Sequence, residues 1–497
     1  MGATLERTGA MPVVLDAFEA PRPLRILARA LVWPFQWLGK RGDKALPPPT
    51  RALQALGPAY IKFGQILSTR PDLVGDDLAH QLRILQDKLP PFSVEDASKT
   101  IEEELGAPVD ELFTEFSAPV AAASIAQVHK ARIRETGQDV AVKVLRPGIE
   151  RAFQRDIDVF YFVADFIEFF SPASRRLKPR DVIAHFEGVV KGELDLRLEA
   201  ASASEFSANT EGDQGFTLPS ILWEFSHRRV MTMSWAEGIS LGDNAALAAA
   251  GHDLHELGER VLQLFLSHAL RDGFFHADMH QGNLKVAANS DIIAFDFGIM
   301  GHIDEYTRRV YAEILYGFIK RDYQRVAEVH FEAGYVPGDR DVDEFARALR
   351  AVGEPIFGMD ATRISMGKLL SYLFEVTERF GMETRTELIL LQRTMVVVEG
   401  VARSLSPQLN IWEVAQPIVE DYIKRALGPR ALAGDLVKTL QVVARFGPRL
   451  PKLVEQALTA EQPAPSHSSP ASKARLATIS AAAGAGAALL ATYFISS

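Results

Sequence analysis

The sequence predicts an α+β fold made of a small sheet-bearing lobe followed by a larger helical lobe. Alternating apolar and polar residues, typical of strands, run through residues 118–145 and recur near Leu218–Leu222 and Arg229–Met233. From about residue 253 the apolar spacing is helical, with one strand–turn–strand interruption at 284–295. The 497 residues, 47% of them hydrophobic and 24% charged, suffice for one large catalytic unit with attachments.

The amino-acid composition excludes several classes of function. The chain has no cysteine, which excludes disulfide scaffolds, cysteine-ligated zinc, iron–sulfur clusters and cysteine nucleophiles. Its net charge of −10 argues against a dedicated nucleic-acid binder, because such a protein needs a basic surface to displace counterions. We therefore expect no nucleic-acid partner.

Residues 1–49 form a basic amphipathic segment with two open interpretations. Acidic residues near its start argue against a secretory signal. Between Arg22 and Lys44, six basic residues surround an apolar stretch that includes Trp33, Phe35 and Trp37. Such a stretch suits a bilayer interface, and it suits equally a helix packed on its own domain.

Residues 50–117 are expected to form a helical extension. Within it, Lys62 and Gln65 are three residues apart and share one face of an amphipathic helix. This helix is predicted to end before Pro71, because the residue preceding a proline disfavours helical backbone.

The predicted small lobe, residues 118–235, contains a valine-rich strand with one lysine. Val140, Val142 and Val144 share one face of this strand. The other face presents Ala141, Lys143 and Leu145. A small residue beside an ammonium group suits an adenine ring and its phosphates, although a lone lysine in such a strand is usually an edge charge.

A helix predicted over residues 181–206, with Asp181 as its N-cap, offers Glu199 as an ion-pair partner for Lys143. Taken alone, Glu199 would be a solvated helix charge. Glu193 and Asp195 lie on the same predicted helix, where Glu193 could pair with Arg197 four residues later.

The predicted helical lobe, residues 236–458, contains the most specific motif, which reads His276-Ala277-Asp278-Met279-His280-Gln281-Gly282-Asn283 and then Phe295-Asp296-Phe297-Gly298. Phosphoryl transfer needs a carboxylate near the acceptor and oxygen ligands that hold Mg²⁺ against the phosphates. Asp278, Asn283 and Asp296 supply that set at protein-kinase spacing.

A rival interpretation takes His276 and His280 as metal ligands on one helix face, with Asp278 beside them, as in a metallohydrolase. No glutamate completes a zincin pattern, and the flanking Phe274-Phe275 and Gly282 favour a loop. We therefore expect His276 to be buried and to hold the loop through hydrogen bonds to backbone groups.

A glycine-rich phosphate loop is missing ahead of the lysine strand. The hairpin tip there reads Ala121-Ala122-Ala123-Ser124-Ile125-Ala126-Gln127. Glycine lets backbone N–H groups approach phosphate at positive φ, whereas the Cβ of alanine resists that conformation. A nucleotide is therefore expected to be held differently from one in an ordinary kinase, although the run alone is an alanine-rich turn.

The C-terminal end is predicted to cross a membrane. A Pro/Ser-rich linker at 459–475 precedes Leu476–Ser497, which are 22 residues without a charge. The small residues of this segment permit close helix–helix contact in lipid, which allows a homodimer. Upstream basic residues place the catalytic domain on the cytoplasmic side of the inner membrane. A disordered alanine-rich tail is the alternative.

These motifs, in this order, resemble the UbiB/ADCK family of atypical kinases over residues 50–305. The resemblance rests on Lys-x-Gly-Gln at Lys62–Gln65, the alanine-rich loop, Glu-x-Asp at Glu193–Asp195 and His-Ala-Asp…Asn at His276–Asn283. It implies a protein-kinase-like two-lobed fold with an N-terminal helical extension across the active site and a C-terminal transmembrane helix. It also implies ATP and Mg²⁺ as cofactors, ATP hydrolysis and a link to ubiquinone biosynthesis.

Position by position, the resemblance implies a role for each site residue. Lys143 contacts the phosphates and pairs with Glu199, Asp278 is the catalytic aspartate, and Asn283 and Asp296 are the Mg²⁺ ligands. Lys62 and Gln65 reach into the cleft, and Glu193 with Asp195 anchors the extension. Further nucleotide contacts are implied for Ala121, Ala122, Ala123, Ser124, Ala126, Gln127, Ala141, and for the hinge residues Met233 and Trp235. Met279 and Gln281 depart from the family, which usually has prolines there.

Three functions stay open. The first is a membrane-associated ATPase-type kinase that supports quinone-lipid synthesis, with membrane lipids, quinone precursors or other ubiquinone-biosynthesis proteins as partners. The second is a true kinase of a protein or a small molecule, which the alanine-rich loop and the Lys62–Gln65 helix disfavour for protein substrates. The third is a non-catalytic nucleotide-binding scaffold, which an intact Asp278, Asn283 and Asp296 disfavour.

Overall fold

The computed structural model describes residues 1–17, 22–68, 74–82, 84–85, 90–170, 178–357, 372–373, 375–376, 379–382 and 386–426. The predicted linker at 459–475 and the predicted transmembrane helix at 476–497 lie outside these residues. Among the helices within them, none combines the length and the apolar character that crossing a bilayer requires.

Helices precede the sheet of the small lobe. They are α1 (Gly2–Thr8), α2 (Ala10–Ala17), α3 (Arg22–Val32), α4 (Pro48–Leu56), α5 (Pro58–Ser68), α6 (Asp76–Leu82), α7 (Val94–Leu105) and α8 (Val109–Leu112). The small lobe continues with β1 (Phe113–Ala122), β2 (Ala126–Ile133), β3 (Asp139–Leu145), α9 (Ile149–Phe170), α10 (Pro179–Glu193), α11 (Leu196–Asn209), β4 (Phe216–Thr217) and β5 (Val230–Ser234).

The larger lobe is mostly helical. Its elements are β6 (Ile239–Ser240), α12 (Asn244–Ala249), α13 (Leu254–Ser267), β7 (Phe274–His276), β8 (Leu284–Val286), β9 (Ile292–Ala294), β10 (Met300–His302), α14 (Glu305–Lys320), α15 (Tyr323–Glu332), α16 (Val342–Phe357), α17 (Thr386–Leu405) and α18 (Ile411–Ala426). The predicted strand–turn–strand at 284–295 is confirmed as β8 and β9.

The N-terminal segment packs through its backbone and leaves its aromatic rings outside. A 3₁₀ turn, Trp33–Leu38, follows α3. The guanidinium of Arg7 in α1 donates to the carbonyl oxygens of Trp37 and Gly39 at 3.0 and 2.8 Å. The rings of Trp33 and Trp37 are nevertheless 74% and 73% exposed, so they do not pack on the helices beside them.

The sheet of the small lobe has the strand order β1-β2-β3-β5, with antiparallel neighbours. Its first strand begins at Phe113, so the sheet starts inside the stretch 50–117 that was expected to be helical. The predicted alternation of β3 is confirmed: Val140, Val142 and Val144 are fully buried in one cluster with Ile101 of α7. On the opposite face, Leu145 is buried in a second cluster and Ala141 packs against that cluster, whereas Lys143 is half-buried.

Three corrections concern the segment between residues 181 and 222. The helix predicted over 181–206 is two helices, because Asp195 caps a new one by accepting a hydrogen bond from the Arg197 N–H at 3.1 Å. Asp181 is not an N-cap, since α10 already begins at Pro179. The strand predicted near Leu218–Leu222 is reduced to a single bridge between Ile221 and Met233.

The core of the larger lobe joins α13 and α17 with the short strands around the predicted catalytic motif. Leu262, Phe265 and Leu266 of α13 and Val398 of α17 are buried in the cluster that also holds Phe275, Met279 and Phe297. The short strands β4, β9, β8 and β6 form one small sheet, and β7 pairs with β10. The motif residues therefore stand on a rigid base.

Candidate active site

Lys143 is held by carboxylates from two different elements. Because β3 buries its valines on one face, Lys143 points from the other face, where the Lys143 Nζ lies 2.6 Å from Glu199 Oε1 in α11. The same Nζ lies 3.6 Å from Asp296 Oδ1, which follows β9 in the larger lobe. The predicted Lys143–Glu199 pair is present, and it links the two lobes through Asp296.

The three groups shift one another's pKa. Burial opposes the charge on Lys143, but the two carboxylates outweigh it and raise the pKa of Lys143 above its ordinary value. The Lys143 ammonium group lowers the pKa of Asp296 to about 2. Both groups are therefore charged at neutral pH. Burial instead raises the pKa of Glu199, with the Asp296 charge adding to the rise and the Lys143 ammonium group opposing it.

The buried His276, which directly precedes the predicted catalytic loop, holds the start of that loop. This side chain is 1% exposed at the end of β7, and its Nδ1 accepts the backbone N–H of Asp278 at 3.1 Å. Burial lowers the pKa of His276, so its ring is neutral at neutral pH. The prediction of a buried histidine that holds the loop is confirmed for its Nδ1, whereas its buried Nε2 has no hydrogen-bond partner among the described residues.

Asp278 and Asn283 face each other across the loop. The Asn283 Nδ2 donates to the Asp278 backbone oxygen at 3.0 Å and to its carboxylate Oδ2 at 3.2 Å. The side-chain oxygen of Asn283 is thus the atom of that amide left to meet a cation. Phe295 N–H donates to the Asn283 carbonyl at 3.3 Å, which brings Asp296 beside it.

The residues fit a magnesium–nucleotide complex better than a metal held by protein alone. Within the described ranges, no three His, Asp or Glu side chains are grouped as a ready-made metal site. The surplus of carboxylate over ammonium at Lys143, together with the Asn283 oxygen, instead suits a divalent cation whose other ligands are phosphate and water.

The metallohydrolase interpretation is wrong. His276 is the last residue of β7, whereas His280 lies in a loop and caps the following 3₁₀ turn by accepting the Gly282 N–H at 2.9 Å. The two rings therefore do not share a helix face, which that interpretation required.

Two residues of α17 hold the catalytic loop, and the sequence did not reveal them. The hydroxyl of Thr394, which is 0% exposed, lies 3.1 Å from the carbonyl oxygen of Ala277 and 2.8 Å from that of Leu390. The Gln281 amide donates to the Ser404 hydroxyl. The glutamine that replaces a family proline was the available signal, because an amide side chain in a tight loop needs a polar partner.

The alanine-rich loop is held by its backbone. None of residues 121–127 has positive φ, as their Cβ atoms predict. The Arg146 side chain donates to the carbonyls of Ser124, Ala123 and Pro90 at 3.2, 3.3 and 2.6 Å. The side-chain oxygen of Gln127 accepts the Phe92 N–H at 3.0 Å. The tip is thus tied to the segment just before α7.

The predicted hinge lies beside Ala141, as expected for an adenine site. Met233 pairs with Ala141 in the register of β5 and β3. The backbone N–H groups of Ser234 and Trp235 are already bonded to the carbonyls of Ser220 and Asp139, at 2.9 and 3.0 Å. An adenine contact at Trp235 would therefore have to use its carbonyl oxygen.

The helix α5 is tied to the end of α10. The Lys62 Nζ lies 2.7 Å from Glu193 Oε1, so Glu193 pairs with the extension and not with Arg197. Asp195 instead pairs with Arg197 at 2.6 Å. The Gln65 amide donates to the Leu85 carbonyl at 3.5 Å. Glu193 thus contacts the extension as expected, whereas the Asp195 carboxylate pairs with Arg197 at the start of α11.

Comparison with known proteins places this chain in a family. Residues 84–330 match the family model described as ABC1 atypical kinase-like domain, and residues 349–410 match the UbiB helical domain. The chain is 42% identical over 455 residues to the "Probable protein kinase UbiB" of Marinobacter nauticus, covering 89% of this chain and 82% of the relative. For the protein of the same name from Azotobacter vinelandii, the identity is 41% over 456 residues, covering 90% and 83%.

A solved structure shares the fold. It is the complex of Rv3197 with erythromycin from Mycobacterium tuberculosis, which matches with a TM-score of 0.51 at 24% identity and covers 71% of this chain and 90% of that one. The kinase-like fold and the family expected from the motifs are thereby confirmed. The chain belongs to the UbiB family of ABC1 atypical kinase-like proteins.

Proposed function

We propose that the chain binds Mg²⁺-ATP in the cleft between its lobes and hydrolyses it at a membrane, in support of ubiquinone biosynthesis. The observation that carries this proposal is the Lys143 ammonium group, which lies 2.6 Å from Glu199 and 3.6 Å from Asp296. Protein kinases need the same lysine–glutamate pair and metal-binding aspartate in place together for phosphoryl transfer.

Each site residue has a task in this reaction. Lys143 would bind phosphate oxygens, and Asp296 with Asn283 would hold Mg²⁺. When bound, Mg²⁺ neutralises the charge that develops on the phosphate oxygens. Asp278 would orient the attacking water molecule and accept its proton; its side chain is 40% exposed and so within reach of water.

Water is favoured over a protein as the acceptor. The alanine-rich loop lacks the glycine backbone of ordinary kinases. The Lys62–Glu193 contact keeps α5 fastened to the small lobe. No Ala-Pro-Glu sequence follows Asp296 to end an activation segment. Phosphorylation of a protein or small molecule is the second candidate, because the similar proteins bear the name "Probable protein kinase UbiB".

The N-terminal segment supports a location on a membrane surface. Trp33, Phe35 and Trp37 are 74%, 56% and 73% exposed, and exposed basic side chains follow them at Lys40, Arg41 and Lys44. Aromatic rings beside basic residues suit the interface of an anionic leaflet. The sequence segment 476–497 would add an anchor in the inner membrane, with the catalytic lobes on the cytoplasmic side. Membrane lipids, quinone precursors or other proteins of ubiquinone biosynthesis are the proposed partners.

The test is phosphate release by the full-length chain on phosphatidylglycerol vesicles, with and without Mg²⁺. We expect Mg²⁺-dependent release that is lost in Asp278→Asn and kept in Asp291→Asn, a matched change in the turn between β8 and β9. Labelled phosphate on a protein would favour the kinase. ATP binding without release under any lipid condition would favour the scaffold.

Ubiquinone itself provides the second test. Cells that lack the chain should lose ubiquinone and accumulate an early prenylated precursor. A normal ubiquinone content would reject the role in its biosynthesis while leaving ATP hydrolysis untouched.

A further inference from the structure

The N-terminal extension encloses an apolar cavity away from the cleft. Its volume is about 170 Å³, and its walls come from α1, α2, α4, α5, α6, α9 and α10. Leu5, Leu53, Leu78, Val163, Ala164 and Val182 are typical of the side chains that line it. Apolar cavities of about this size in other proteins stay dry and bind small apolar molecules.

The cavity lies directly behind the helix that carries Lys62. Tyr60, Phe63 and Leu67 of α5 form part of its wall. The Phe63 ring stacks on Phe160 of α9, with 4.7 Å between their centroids, which fixes this wall in place. Whatever fills the cavity thus packs against the back of α5.

The cavity adjoins the exposed aromatic surface of the N-terminal segment. Met1 and Leu5 line it from the start of α1. A Cβ added to Gly2 would lie 2.8 Å from Val32 Cγ2, so the start of α1 touches the residue just before Trp33. Met1 is 40% exposed, which places one end of the cavity wall at the surface.

We propose that this cavity binds the end of one hydrocarbon chain of a membrane lipid. The apolar lining selects a hydrocarbon chain over any polar ligand, because each buried polar group would lack a hydrogen-bond partner. The neighbouring tryptophans and basic residues select a bilayer as its source, since they suit an anionic lipid surface. The proposal rests on the membrane contact suggested above and adds a defined site to it.

The test measures binding of a fluorescent fatty acid, cis-parinaric acid, to the full-length chain without nucleotide. We expect saturable binding at one site, and roughly tenfold weaker binding in Ala164→Phe and in Val182→Phe, because each new ring occupies the cavity. Two positions on different helices are used so that a folding defect in one variant does not decide the result. The matched control is Phe162→Trp, an enlargement of a 70% exposed side chain of α9, which should bind normally.

Three results would overturn the proposal. Binding that is absent, or equal in all variants, would remove the site. Displacement by farnesol at a tenth of the concentration needed for a lysophosphatidylglycerol would make the source a prenyl chain. Binding seen only after deletion of residues 474–497 would make the chain's own end the occupant. Since no nucleotide is present, none of these results depends on ATP hydrolysis.

Discussion

The catalytic loop, residues 277–283, and the alanine-rich loop, residues 121–127, are held in opposite ways. Side chains from a distant helix hold the catalytic loop, through Thr394 to the Ala277 carbonyl and Ser404 to Gln281. The alanine-rich loop is held by its backbone carbonyls, which accept hydrogen bonds from Arg146 only 22 and 23 residues away.

The two loops therefore depend on different parts of the chain. The alanine-rich loop is a local structure of the small lobe, so changes there should stay local. The catalytic loop depends on α17, all of which falls in the stretch that matches the UbiB helical domain. We infer that this helical domain serves as a structural support for the catalytic loop, and the following predictions test that contrast.

The largest effect is expected from Asp296→Asn. The change removes the carboxylate that Mg²⁺ would bind and leaves a side chain of the same shape. Phosphate release should fall on the order of a hundredfold or more, whereas the chain should stay folded and lose only the stability of the solvent-screened Lys143–Asp296 pair. Asp291→Asn, in the same hairpin, should keep full activity. An active Asp296→Asn variant would exclude Asp296 as the metal ligand.

The second effect concerns Lys143→Met. Removing the ammonium group leaves Glu199, whose side chain is only 10% exposed, without its counter-ion, which costs about 3 kcal/mol of unfolding free energy at neutral pH. The figure rests on Glu199 alone, since Asp296 is 45% exposed and screened by solvent. Lys130→Met, in a half-buried pair with Asp139 that solvent screens, should cost less than Lys143→Met.

The loss of unfolding free energy in Lys143→Met should increase with pH. Burial already raises the pKa of Glu199 above its unfolded value, and in the variant the Lys143 ammonium group no longer opposes this rise. The destabilising effect of Glu199 is therefore absent in acid and grows as pH rises from its unfolded pKa toward its folded pKa. In the native protein, Asp296 with a pKa of about 2 contributes stability above its unfolded pKa and loses it only as pH falls toward 2. Urea unfolding at pH 5 and pH 8 should therefore show a larger deficit at pH 8. Equal deficits at both values would contradict the assignment.

The third effect tests α17 directly. Thr394→Val keeps the shape of the side chain but removes the hydroxyl beside the Ala277 carbonyl. Because Ala277 precedes Asp278, we expect roughly a tenfold fall in the rate of phosphate release, with ATP affinity nearly unchanged. The matched control is Thr100→Val in α7, whose hydroxyl bonds only to its own helix, at the Asp96 carbonyl. Equal activities of the two variants would show that α17 does not position the loop.

The chemistry of the site could be predicted from the sequence because residue type and spacing determine it. Lys143 and Glu199 are 56 residues apart, yet the need of a phosphate-binding lysine for a carboxylate partner suffices to pair them. The fold of β3 followed in the same way from its alternating valines. In each case the contact involves only the residues named, so their types and spacing are enough to predict it.

The contacts that hold the site residues in place could not be predicted from the sequence, because they depend on how whole helices pack. Thr394 follows Ala277 by 117 residues, and a threonine inside an apolar helix has no pattern that points to a loop. The partner of Glu193 is Lys62 because Phe63 packs edge-on against Phe186 of α10, with 5.2 Å between the rings. The break at Asp195 had a signal, since aspartate is a common N-cap.

The smallest effect is expected at the alanine-rich loop, from Arg146→Lys. The change keeps the positive charge but loses the planar fork that bonds to several carbonyl groups at once. The loss should cost about 1 kcal/mol of unfolding free energy and speed hydrogen exchange at residues 121–127. Phosphate release should change by less than about threefold, because no contact of Arg146 leads to the catalytic loop.

Arg134→Lys is the control for that change. Arg134 also donates to a backbone carbonyl, that of Asp110 at 2.9 and 2.6 Å, but at the other end of the hairpin. Its substitution should leave hydrogen exchange at 121–127 unchanged. If Arg146→Lys instead lowered phosphate release as much as Thr394→Val, the two loops would be coupled. The contrast between a local loop and one supported by the helical domain would then have to be given up.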